Sequence, residues 1–196
     1  MATSPREYRR VVLELLPEQG DLREEDYLWL TDHARRPIEF VDGSIAVLPR
    51  PTRSYQLLLK ALLRSFEQMI EGHGGIVLFA PMRLRLRPGK FREPDLLLLL
   101  DAADPRNGER FWTGADLVLE SVSPDNPERD LVEKRREYAE AGIPEYWIVE
   151  PRDRSVTILT LDGGAYREYG RFASGTTATS ALVPQLAVGV GALFAS

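Results

Sequence analysis

Between Ser54 and Gly72 apolar residues recur at steps of three and four: Leu59, Leu62, Leu63, Phe66, Met69 and Ile70 form one stripe. That spacing predicts an amphipathic helix, closed by Gly72. Further on the period shortens. Ile76 to Phe79 is a short apolar run, and Met82 to Arg87 alternates apolar residues with arginine, which predicts a strand with Arg83, Arg85 and Arg87 on its wet face. Asp95 to Leu100 and Asp116 to Val122 are apolar without alternation, as expected of strands covered on both faces.

Turn residues divide the rest. Asp42-Gly43 between two short apolar runs predicts a β-hairpin over Pro37 to Leu48, and Asp162-Gly163-Gly164 predicts a second one joining Val156 to Leu161 with Tyr166 to Tyr169. The Asp-, Pro-, Asn- and Gly-rich stretch from Asp101 to Gly114 is read as a loop. A helix is expected after Pro127, capped by Asn126 or Asp125 and stopping near Gly142, with a strand over Glu145 to Val149 beyond it. Leu182 to Phe194, broken by Pro184, Gly189 and Gly191, is expected to pack as an irregular edge. Residues 1–36 read as an N-terminal helical arm and 37–196 as one compact domain of mixed α/β class (α+β), a central sheet flanked by helices.

Composition then narrows the chemistry. With 196 residues, 43% hydrophobic and 28% charged, the chain has the make-up of a folded globular domain. No run approaches the apolar length of a membrane span, and Met1 to Arg10 lacks a signal-like apolar core, so a cytoplasmic location is expected. Cysteine is absent and histidine occurs only at His33 and His73, which excludes thiolate sites and Cys nucleophiles. A bound metal would be held mainly by oxygen, favouring hard cations such as Mg²⁺ or Mn²⁺ over zinc. The net charge of -5 opposes non-specific nucleic-acid binding, although basic residues cluster at Arg83 to Arg92 and at Lys134 to Arg136.

Two carboxylates interrupt the buried strands. Asp95 opens one and Glu120 stands near the end of the other. In an antiparallel register that sets Leu100 opposite Ala115, Asp95 falls opposite Glu120, and strands about 4.8 Å apart would let both acids reach one cation. Each acid alone is better explained by solvent or by an arginine such as Arg85 or Arg92, whereas the pair in this register is better explained by a shared metal ion. Asp130, Lys134 and Tyr138 share a helix face by their spacing of four, either as a solvated ion pair or with the lysine aimed at the two acids.

The stretch Asp116-Leu-Val-Leu-Glu-Ser-Val-Ser-Pro124, with Arg129-Asp130, Lys134, Tyr138, Gly142 and Glu145-Tyr-Trp-Ile-Val149, closely resembles the restriction endonuclease family named after Uma proteins, within the PD-(D/E)XK nuclease superfamily. The resemblance runs roughly from Pro37 to Phe194 and takes in Glu39, Asp42-Gly43 and Pro94-Asp95. It implies a restriction endonuclease-like αβββαβ core with added hairpins, and Mg²⁺-dependent hydrolysis of phosphodiesters. By the same resemblance Asp95 and Glu120 are the metal-binding acids, Lys134 is the catalytic lysine, the Ser121 carbonyl is a further ligand and Glu39 is an additional acid. Two positions depart from the pattern: Val122 stands where the motif has its usual lysine, and Tyr55 stands where many relatives have histidine.

Three functions compete on these grounds: a DNA endonuclease, a weak or inactive nuclease fold serving binding or assembly, and a nuclease acting on RNA. Self-association into a homodimer or larger homo-oligomer is expected, with Phe111, Trp112 and the apolar tail as its contacts.

Overall fold

The computed structural model describes residues 18–195, so the arm anticipated for 1–36 lies partly outside the described residues. Two compact units emerge, one of 18–49 with Pro88–Lys90, the other of Arg50–Arg87 with 91–195.

The first unit holds helix α1 (Glu24–His33) and the hairpin β1 (Ile38–Val41) and β2 (Ser44–Val47). Val41 pairs with Ser44, leaving Asp42 and Gly43 as a two-residue turn with φ of 46° and 84°, the left-handed values that an Asp-Gly pair tolerates. Gly43 is needed for a second reason. Its carbonyl accepts the Gly20 and Leu22 N–H groups, and a Cβ here would collide with the Gly20 backbone. Tyr27 of α1 stacks on Phe40 of β1, with centroids 5.1 Å apart, and both are buried.

The second unit is built on a six-stranded sheet of order β10-β9-β8-β7-β6-β3. Helix α2 (Arg53–Ile70) precedes it and buries Leu58, Leu62, Phe66 and Ile70, a row at steps of four. A 3-10 turn at Glu71–His73 ends it, so the α-helix stops just short of Gly72. β3 (Ile76–Phe79), β6 (Leu96–Leu99) and β7 (Leu117–Ser121) pair antiparallel in succession. β4 (Leu84–Arg87) and β5 (Lys90–Arg92) lie between β3 and β6 in sequence.

After β7 the chain turns helical at 127, runs as a π-helical segment over Arg129–Glu133 and continues as α3 (Lys134–Glu140). Gly142, at φ 75°, closes this stretch, and β8 (Glu145–Glu150) returns parallel to β7. Thus α2, the antiparallel strands β3, β6 and β7, α3 and β8 realise the αβββαβ order. The hairpin β9 (Ser155–Asp162) and β10 (Ala165–Ala173) extends the sheet, turning at Gly163-Gly164.

Two apolar layers sandwich the sheet. Leu96, Leu98, Leu117, Leu119 and Trp147 face α2, whereas Leu97, Leu99, Val118, Tyr146 and Ile148 face Tyr138 and Ala139 of α3. The C-terminal stretch is more ordered than its glycines and proline suggest. β11 (Thr177–Thr179) pairs with β12 (Ala187–Gly189), α4 (Val190–Leu193) follows, and Val183, Leu186, Val188, Val190 and Leu193 are buried in the α2-side core. Trp112 is likewise fully buried, its backbone bonded to Arg83 and Arg85. Neither Trp112 nor the buried tail residues are therefore available as the self-association contacts expected of them. Among the described residues no helix is long and apolar enough to cross a membrane.

Candidate active site

β6 and β7 pair in the register anticipated, with Leu96 opposite Leu119 and Leu98 opposite Leu117. One step further sets Asp95 opposite Glu120. Both acids alternate in phase with residues of the α3-side core, Asp95 with Leu97 and Leu99, Glu120 with Val118 and Val122, so both point to the same face of the sheet.

Each acid is held by named donors. Asp95, half-buried, accepts the Tyr55 hydroxyl on Oδ1 at 2.6 Å and the Ser121 N–H on Oδ2 at 2.7 Å. Burial pushes its carboxyl above the ordinary range, and those two hydrogen bonds together with the Lys134 charge pull partly the other way. Glu120 is buried, and its Oε1 accepts the Lys134 ammonium at 2.7 Å and the Tyr138 hydroxyl at 2.5 Å. Lys134 is only 2% exposed and also lies 3.4 Å from Asp130 Oδ1. The solvated Asp130–Lys134 pair that the spacing allowed is thus a buried one, turned toward Glu120.

The i, i+4, i+8 spacing of Asp130, Lys134 and Tyr138 survives the π-helical segment, and all three are buried. Tyr138 packs edge-on against Tyr146 at 5.2 Å, and the Tyr146 hydroxyl donates to the Asp130 carbonyl at 2.9 Å. α3 is fixed from another side by a buried fork, Arg92 Nε to Glu137 Oε2 at 2.8 Å and Arg92 Nη2 to Glu137 Oε1 at 3.0 Å. Burial, then the charges of Asp95 and Glu120, raise the Tyr55 phenol far above its usual value, so it stays a hydrogen-bond donor.

Asp95, Glu120 and Lys134 are therefore brought into one electrostatic neighbourhood. Glu39 is fully buried on β1 of the first unit. Val122, at the position of the usual lysine, is a buried core residue. Tyr55 and Tyr138, which the sequence offered as a departure from the family pattern and as a member of the Asp130–Lys134 helix face, are the hydroxyl donors to Asp95 and Glu120. The arginines of β4 are not a uniform wet row, since Arg85 is half-buried with its guanidinium 5.9 Å from the Phe91 ring centroid and 6.0 Å from that of Phe111.

The donors are all oxygens, as a hard cation requires. Among the described residues no three His, Cys, Asp or Glu side chains group to hold a metal. Two carboxylates, with backbone and water filling the remaining positions, is nevertheless how Mg²⁺ is commonly held. Asp95 and Glu120 fit that demand, and the desolvation already imposed on Asp95 is what a cation would offset.

A family profile described as "Uma2: Putative restriction endonuclease" matches residues 24–191. The chain belongs to the Uma2 family. Among solved structures, a protein of Anabaena variabilis described as a "putative nuclease belonging to DUF820" matches with TM-score 0.66 at 15% identity, covering 96% of each chain. That likeness is one of fold, and it fits the restriction endonuclease-like architecture of α2, the central strands, α3 and β8. No curated protein matches. For a member of the Uma2 family the sequence pattern around Glu120 and Lys134 now has a spatial meaning: strand carboxylate and helix ammonium are in contact.

Proposed function

We propose that the chain is a metal-dependent endonuclease hydrolysing DNA phosphodiester bonds, with Asp95 and Glu120 as metal-binding acids, the Ser121 carbonyl as a further ligand and Lys134 as the catalytic lysine. The contact between Lys134 and Glu120, on the face shared with Asp95, carries this reading. Bound there, Mg²⁺ or Mn²⁺ would supply Lewis acidity toward the phosphate and a more acidic water. The protein's own groups do the rest. Lys134 offsets negative charge gathering on the phosphate and orients the attacking water. Tyr138 and Tyr55 fix the carboxylates, and Ser121 N–H holds Asp95 in place. Glu39 is a further acid proposed for the family's pattern, and a homodimer would let two sites cut two strands.

Nicking of supercoiled plasmid DNA with and without Mg²⁺ tests this directly. Cleavage is expected only with the cation and is expected to vanish in Glu120→Ala; equal cleavage by that variant would remove Glu120 from the site. A structured RNA in parallel reports whether DNA is the preferred polymer. A binding or assembly module is the second reading, favoured by the net charge of -5 and by Val122 at the usual lysine position. It predicts neither Mn²⁺ binding nor cleavage.

The raised Asp95 carboxyl also gives a pH signature. A carboxyl whose folded pKa lies above its unfolded value contributes stability below the unfolded pKa, and that contribution is lost as pH rises through the folded one. The metal-free protein should therefore lose this contribution as pH rises above the ordinary carboxylate range, and a cation that binds the ionised form should restore it. Thermal melts are expected to show a larger upward shift with Mn²⁺ at about pH 8 than at about pH 5. A shift independent of pH would argue that Mn²⁺ binds elsewhere.

A further inference from the structure

We propose that Asp130 is a positioning residue for Lys134, a second anchor to which the ammonium passes when the Glu120 carboxylate is engaged by a divalent cation. This rests on the metal-dependent reading of the same site. Lys134 Nζ stands 2.7 Å from Glu120 Oε1 and 3.4 Å from Asp130 Oδ1. Ammonium and cation compete for one carboxylate because like charges repel, so Lys134 needs somewhere to go.

Asp130 is built to receive it. Its side chain is 2% exposed, its Oδ2 accepts the Ser123 N–H at 3.1 Å, and its backbone carbonyl accepts the Tyr146 hydroxyl. Oδ1 accepts no hydrogen bond among the described residues. Among the described residues its cationic neighbours are Lys134 and Arg129, whose Nε lies 3.8 Å away and there donates no hydrogen bond. A buried carboxylate oxygen left in that state is costly. Its retention one helical step from the ammonium is accounted for if the acceptor is used in another state of the site. Closing 3.4 Å to charge-assisted hydrogen-bond length requires a shift of only about 0.5 Å, within the reach of one lysine rotamer.

Calorimetric titration with Mn²⁺ of the unmodified protein, Asp130→Asn, Lys134→Met and the double variant tests the proposal as a double-mutant cycle. Asp130→Asn is expected to weaken Mn²⁺ binding about tenfold, because the ammonium then stays on Glu120, whereas in the Lys134→Met background the same substitution should change it by less than about threefold. Equal weakening in both backgrounds would overturn the proposal, since Asp130 would then act only as a nearby charge. An unchanged affinity in Asp130→Asn would overturn it too. Absence of Mn²⁺ binding by the unmodified protein is a different result, which defeats the metal reading itself and this proposal with it. Should Lys134→Met fail to fold by circular dichroism, lysine-selective ¹⁵N spectra of Asp130→Asn alone decide. Mg²⁺ is expected to move the Lys134 ammonium signal in the unmodified protein and not in the variant, and a matching response in both overturns the idea.

Discussion

Lys134→Met is expected to lower DNA cleavage by about 10²–10³-fold, the usual effect of removing one preorganised charge-stabilising donor. Methionine keeps the length and apolar stem of lysine and deletes only the ammonium. The same change removes the cation bonded to a buried carboxylate, a loss worth about 3 kcal/mol of stability near neutral pH. Denaturant melts, run beside the nicking assay, separate the two consequences. Mn²⁺ binding should persist in this variant, because its carboxylates remain. Unaltered cleavage would exclude Lys134 from the chemistry; lost cleavage together with lost metal binding would mean that the lysine supports the fold of the site and not the reaction.

The pairing behind this prediction was legible in the sequence for a simple reason. Asp95 stands at the mouth of one strand buried on both faces and Glu120 inside another, and in such strands a charged position stands out. The apolar runs also limited the registers available, and the one that sets Leu100 opposite Ala115 is the one β6 and β7 adopt. The Asp42-Gly43 and Gly163-Gly164 turns were equally readable, since left-handed backbone values select few residues.

Tertiary partnerships were not readable. Arg92 and Glu137 are 45 residues apart and each resembles a surface charge, yet together they form a buried fork. The π-helical segment at Arg129–Glu133 has no compositional signature that the stretch after Pro127 displays. The C-terminal glycines and proline suggested an irregular edge because local propensity says nothing of the α2-side core that Leu186, Val188 and Val190 complete. Tyr55 stood out in the sequence as a departure from the pattern of the family it resembles. Its hydroxyl donates to Asp95, a contact across 40 residues that no local pattern announces.

Glu145 shows how a family pattern can hide a purely structural task, and it carries the second large prediction. It is fully buried, on the α2-side face with Trp147, and its carboxyl accepts three hydrogen bonds: Trp147 Nε1–H on Oε1 at 2.6 Å, and the Ala181 and Leu182 N–H groups on Oε2 at 2.9 and 2.8 Å. The last two residues introduce the segment leading to β12 and α4, so one side chain ties the central sheet to the C-terminal layer. Glu145→Ala removes the acceptor of a buried indole N–H and of two part-buried backbone N–H groups and leaves a void, and is expected to cost about 3 kcal/mol. Glu145→Gln is the informative control. Its single carbonyl can serve the Ala181 and Leu182 pair, but its amide then confronts the Trp147 N–H donor to donor, so a smaller loss of about 1–2 kcal/mol is expected. Urea unfolding followed by tryptophan fluorescence measures both. Equal losses in the two variants would mean that side-chain volume and not hydrogen bonding fixes the C-terminal layer, and wild-type stability in Glu145→Ala would dismiss the tie altogether.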